Sequence, residues 1–169
     1  MKRYIKSNDD AVTAYHTSSK PVSSLSVNKL RDKGNLGVHF TQSFEDACTI
    51  SSQLLHSDTA YIYECKLTSV RSTYLEDVSD WTGMDVLFEF FRQQDMLQSA
   101  DYMDAIRQFR EMYSEDDKIA FIRQFFKDKG YNCIEYTNTA ERNLKYNCLC
   151  VLDDLCIASA TLVDTLKVE

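Results

Sequence analysis

Lys127-Asp128-Lys129-Gly130-Tyr131-Asn132-Cys133-Ile134-Glu135-Tyr136-Thr137 changes its period midway, and that change decides the fold class. Before it, Ile119, Ile122, Phe125 and Phe126 recur at helical spacing behind Ser114-Glu115-Asp116-Asp117, a capping signature. Lys127 and Lys129 then suit the negative end of a helix dipole, and Gly130 suits the left-handed residue that ends one. Residues 132–137 read as a strand.

Working upstream, residues 84–129 read as mostly helical. Met84, Leu87, Phe88 and Phe91 form one stripe; Met103, Ile106, Phe109, Arg110 and Tyr113 form another. Residues 73–80 are polar and read as a loop. In the strand 59–67, Tyr61, Tyr63 and Cys65 alternate with Ile62, Glu64 and Lys66. Ser43 caps a helix with Glu45 and Asp46 in its first turn and Phe44, Ala47, Cys48, Ser51 and Leu55 inside. Short strands are expected at 11–16 and 37–41, with a loop at 17–35 between them. In the second, Val38 and Phe40 share one face, His39 and Thr41 the other. Downstream, residues 146–152 are a strand, Asp153-Asp154 a turn, and 156–162 a last strand. Strands, a helical insert and strands again make an α+β chain, with helices packed on a predominantly antiparallel sheet.

A length of 169 residues favours one domain over 1–169. Hydrophobic residues at 44% and charged residues at 27% are those of a globular chain that can fill a core. The net charge of -7 repels phosphate backbones, so nucleic acid is an unlikely partner. The start Met1-Lys2-Arg3-Tyr4-Ile5-Lys6 has no apolar segment behind it, and no apolar run reaches membrane-spanning length, so no membrane is expected and the location is read as cytoplasmic. The six cysteines, at 48, 65, 133, 148, 150 and 156, form no CxxC pair and read as small buried hydrophobes of a reducing compartment. Cys148 and Cys150 share a strand face without partners for tetrahedral zinc.

Only His16, His39 and His56 are histidines. His56 follows Leu54-Leu55 at a helix end, where a basic ring suits the dipole. By itself His16 reads as a partly buried, hydrogen-bonded structural imidazole. Glu141 by itself is a solvated loop carboxylate. No Walker loop, GxGxxG, HExxH or GxSxG is present.

Taken together, three segments are more specific. Tyr15-His16-Thr17-Ser18, Gly37-Val38-His39-Phe40-Thr41 and Gly130-Tyr131-Asn132-Cys133-Ile134, the last continuing through Tyr136-x-Asn138-x-x-Glu141, resemble in order the NAD-contacting strands of the ADP-ribosyltransferase superfamily. Leu149-Cys150-Val151-Leu152-Asp153 resembles its closing strand. The flavour is that of the small phage- and mobile-element-encoded, polyvalent-protein-like branch, which includes anti-defence proteins. The resemblance implies a split antiparallel β-sheet sandwich with a helical insert at about 84–129. It implies an NAD-dependent mono-ADP-ribosyltransferase, with NAD as substrate, acting on a host macromolecule, a protein target being favoured. In that reading Glu141 and His16 are catalytic. Glu141 stabilises oxocarbenium character at the ribose and His16 holds a ribose. Tyr15, His16, Thr17, His39, Phe40 and Thr41 bind the cofactor: Thr17 through its backbone at the nicotinamide amide, Phe40 and Thr41 as the nicotinamide-side wall. Departures from the family pattern are Thr17 for a glycine, His39 for a tyrosine, and Asn132-Cys133 for Asp-Gly.

Three other readings compete. One is a catalytically inactive binding or inhibitor module on the same fold, docking through the insert. Another is the RNA 2′-phosphotransferase branch, which needs a basic cleft that the acidic balance disfavours. The last is an unrelated metal enzyme with His16, His39 and Glu141 on zinc.

Overall fold

The computed structural model describes residues 6–8, 10–27, 35–54, 58–76, 78, 81, 83–138 and 145–167. Eight strands form one mixed sheet: β1 (Lys6–Asn8), β2 (Val12–Ser18), β3 (Val38–Thr41), β4 (Thr59–Leu67), β5 (Val70–Leu75), β6 (Cys133–Asn138), β7 (Tyr146–Val151) and β8 (Ile157–Lys167). Their spatial order is β1-β5-β6-β7-β3-β2-β4-β8. All neighbours are antiparallel except β5 and β6. Among the described residues four α-helices accompany them: α1 (Phe44–Leu54), α2 (Asp85–Gln93), α3 (Ala100–Arg110) and α4 (Glu115–Asp128). The chain is therefore α+β, as its alternation of strand and helix patterns indicates.

The helix stops and starts follow the capping chemistry of the sequence. The Ser114 side chain accepts from the Asp117 amide, and Ser43 Oγ accepts from the Asp46 amide at 3.0 Å. Gly130 has φ +89°, the left-handed conformation that releases the chain from α4 into β6. The next residue but one fixes where that strand lands. Asn132 accepts from the Arg71 amide at 2.7 Å and donates to the Ser69 carbonyl at 2.9 Å.

Two apolar layers flank the sheet. Ile134, Tyr136, Cys148, Cys150 and Leu152 face the helices, where Phe90, Phe91, Ile122 and Phe126 close the layer. Ala14, Val38, Phe40, Cys133, Leu149 and Val151 face the other way, covered by Val22, Leu25 and Val27 of the loop after β2. The two-residue period of a strand divides the residues so.

Several expectations need correction. Residues 73–75, read as loop, end β5, whose buried Ser72, Thr73 and Leu75 pack on both sides. Their polar character belongs to ladder positions, because β5 runs parallel to β6 inside the sheet. β1 was not foreseen, and β8 extends to Lys167. Of the helical stripes, Leu87, Phe91, Ile106 and Phe109 are buried as expected, but their other members are not all inside. Phe88, Met103 and Tyr113 are 44, 61 and 99% exposed, while Val86, Phe90 and Ala105 are buried. Phe90 sets the orientation of α2, meeting the rings of Phe91, Phe125, Phe126 and Tyr131 edge-on within 5.2–6.1 Å. Phe44 is exposed rather than inside.

All six cysteines are free thiols, and all but Cys48 are buried. Burial pushes Cys65 up to about 12, and Cys148 and Cys156 to about 11. They behave as small hydrophobes. Among the described residues no helix is long and apolar enough to cross a membrane.

Candidate functional site around His16

β2 and β3 meet only at Tyr15↔Thr41. By contrast β2 pairs with β4 from Val12↔Leu67 to Ser18↔Tyr61. Just past the single joining pair, a side chain takes the place of the backbone ladder. His16 Nδ1 lies 2.9 Å from the His39 carbonyl oxygen. A carbonyl only accepts, so this bond puts the proton of the neutral imidazole on Nδ1 and leaves Nε2 as the acceptor nitrogen.

Opposed residues of a ladder share a face, which sorts the site residues into two rows. Glu135↔Leu149 and Leu149↔Phe40 form one row, and the Phe40 ring meets the His16 ring edge-on at 5.8 Å. Tyr136↔Cys148, Cys148↔Thr41 and Thr41↔Tyr15 form the other. His16 and Phe40 are thus on one side of the sheet, with Tyr15, His39 and Thr41 on the side of the helices. The structure brings His16 and Phe40 together and separates both from Thr41.

Phe40 is only 2% exposed and Thr41 5%. The Thr41 hydroxyl donates to the Ser43 carbonyl at 3.1 Å, with the Tyr15 carbonyl at 3.4 Å. Neither side chain presents surface to a ligand in this arrangement. Tyr15 is half-buried, its ring against Phe44 at 5.6 Å and its hydroxyl 3.5 Å from Glu64. Desolvation and then the Glu64 charge raise its pKa. Thr17 is half-buried opposite Ile62.

His39 belongs to an aromatic cluster. Its Nδ1 is 2.8 Å from the Tyr136 hydroxyl, and its ring meets Trp81 at 5.1 Å, while Trp81 meets Tyr136 at 4.4 Å. Burial, with a smaller contribution from His16, lowers its pKa from 6.5 to about 4. It is neutral at pH 7 and bonded within its own layer. Because the His16 and His39 rings occupy opposite faces, the two cannot close on one metal ion. Among the described residues no three His, Cys, Asp or Glu side chains are grouped to hold one.

Glu141 and His56 lie outside the described residues. The chain that carries Glu141 joins Asn138 to Tyr146, which oppose each other at the end of the β6–β7 ladder. A carboxylate that sequence reasoning passed over is Glu135, half-buried on the His16 side and bonded by the buried Ser72 hydroxyl. Its signal was available: it is the one charge among the alternating apolar residues of β6. Three inter-strand spacings, about 14 Å, separate β6 from β2. Beside Glu135 lie Thr137, whose hydroxyl is 3.1 Å from that of Tyr74, and the exposed Asn147 opposite Thr137. This side therefore carries an imidazole acceptor at one end and hydrogen-bonding groups at the other, with Phe40 and Leu149 between them buried in the layer that Val22, Leu25 and Val27 cover. No known protein family, curated protein or solved structure matches the chain.

Proposed function

We propose that the chain is an NAD-dependent mono-ADP-ribosyltransferase acting on a macromolecular target, with its site where β2 and β3 share a single pair. The observation that carries this reading is the His16–His39 bond. It fixes the β2 histidine with Nε2 as acceptor, the form needed to hold a ribose hydroxyl, at the point where β2 and β3 part. The adjacency of the resembling segments supports it: β2, β3, β7 and β6 are successive neighbours.

In the proposed reaction the bond from ribose C1′ to the nicotinamide nitrogen breaks, and its electron pair leaves with nicotinamide. The acceptor nucleophile forms the new bond to C1′ and releases its proton to solvent or a base. Glu141 stabilises the positive charge that develops on the ribose. The Thr17 backbone holds the carboxamide. Phe40 supports this site as packing beneath His16. That the target is a protein of a host cell, modified against its defences, rests on the resemblance.

Incubation of the purified protein with labelled NAD and a cell lysate is expected to label a band, and Glu141→Ala to abolish it. A band that survives that substitution removes Glu141 from the mechanism; no band and no NAD consumption at all remove the activity. The burial of Phe40 and Thr41 favours one second reading, a binding module on the same fold. It is distinguished by the absence of any NAD-induced thermal shift at millimolar NAD.

A further inference from the structure

Arg123 of α4 is a buried guanidinium bonded to the backbone at separated points of one connection. Its Nε donates to the Leu36 carbonyl, and one terminal nitrogen donates to the Asn35 carbonyl at 2.8 Å and reaches the Val27 carbonyl at 3.5 Å. Residues 27 and 35 both lie in the stretch that links the His16 strand, ending at Ser18, to the His39 strand, beginning at Val38. Burying a guanidinium costs several kcal/mol unless its donors are satisfied, so the fork is held to this place. Leu36 is followed by Gly37, where an added Cβ would stand 2.3 Å from the Val151 carbonyl oxygen. The start of β3 is thus pinned between Arg123 and β7. Two residues on, the His39 carbonyl receives His16. Elsewhere in the connection, Asp154 accepts from Ser26 Oγ at 2.9 Å and from the Val27 amide.

We propose that Arg123 is a positioning residue for His16: by holding the carbonyls of Asn35 and Leu36 it sets β3 so that the His39 carbonyl selects the Nδ1-protonated imidazole. The helical insert then acts on the site through one side chain rather than by covering it. Its bearing on NAD turnover rests on the reading above; its bearing on the imidazole does not. A lysine keeps the charge, but its donors radiate from a single nitrogen instead of the separate nitrogens of a planar fork, so it cannot hold both carbonyls in the same geometry.

The test is nitrogen NMR of the His16 ring in the full chain. The wild type is expected to show Nδ1–H as the main form. Arg123→Lys is expected to shift the population towards Nε2–H and, in an active protein, to lower kcat/KM for NAD by about 10–100-fold, the scale of a misplaced catalytic group. Asp154→Asn loosens the same connection at Ser26 and Val27 rather than at Asn35 and Leu36 and should leave the tautomer as in the wild type. If Arg123→Lys does not fold, Arg123→Ala refolded with millimolar guanidinium replaces it, the added ion restoring Nδ1–H. An unchanged tautomer in folded Arg123→Lys, or an equal change in Asp154→Asn, overturns the proposal. A wild type that shows the tautomer and its Arg123 dependence but never consumes NAD overturns the transferase reading instead.

Discussion

The Nδ1 atom of His16 and the carbonyl oxygen of His39 are 2.9 Å apart, across a gap that the backbones of β2 and β3 no longer bridge. The imidazole completes the join and is oriented by doing so. His16→Ala should therefore affect function more than folding. The loss in stability is expected to be on the order of 1 kcal/mol, one part-buried hydrogen bond, read from urea midpoints. NAD-dependent labelling is expected to fall by at least about 100-fold, as for loss of a group that orients substrate. Labelling at the wild-type rate would remove His16 from the site.

Acid should destabilise the protein through His39. Its folded pKa lies near 4, below the ordinary value of 6.5. Between those values the unfolded chain binds a proton that the folded chain refuses. The contribution is complete above about pH 6.5 and is lost as pH falls towards 4, with a size on the order of 2 kcal/mol for a half-buried ring. Urea denaturation at pH 7 and pH 4.5 checks this. In His39→Phe the difference should shrink by that amount, leaving the slope due to carboxylates.

Gly37→Ala is expected to destabilise by about 1–3 kcal/mol, because the new methyl meets Val151 backbone rather than a side chain that can swing away. Thermal melting reads the loss. A melting temperature equal to wild type would mean that β3 and β7 are less closely apposed than described.

Glu135→Ala is expected to cost about 1–3 kcal/mol, since it strands the buried hydroxyl of Ser72. The double variant Glu135→Ala with Ser72→Ala should recover part of that loss. An additive double variant would show that the pair does not interact.

The α+β class and most element positions were legible because local chemistry declares them. Ser43, Ser114 and Gly130 mark helix ends by hydrogen bonds made within a few residues. The alternation in β4 and β3 declares which residues share a face. What stayed hidden depends on distant partners. Thr73 and Tyr74 look like loop residues until β6, some sixty residues away, supplies their ladder. Phe88 and Phe90 are equivalent by composition, and only the rings around Phe90 decide which is inside. At the site, period two already required Phe40 and Thr41 to part, but nothing local indicates that the Thr41 hydroxyl is turned to backbone carbonyls. The bond to the His39 carbonyl needed the three-dimensional arrangement. So did the burial of Arg123 against the carbonyls of Asn35 and Leu36.

The parallel pairing of β5 with β6 has a consequence for how this protein can be dissected. Parallel neighbours cannot be joined by a tight hairpin, so the chain must travel back along the full length of the strand before it re-enters the sheet. Here α2, α3 and α4 make that return journey, and Asn132 fastens its far end to Arg71 and Ser69. The insert is consequently a beam, not a pendant. Cutting it out to ask whether it recruits a partner would open β5 from β6 and unroof the aromatic layer, so surface substitutions at Phe88, Met103 and Tyr113 are the way to probe it.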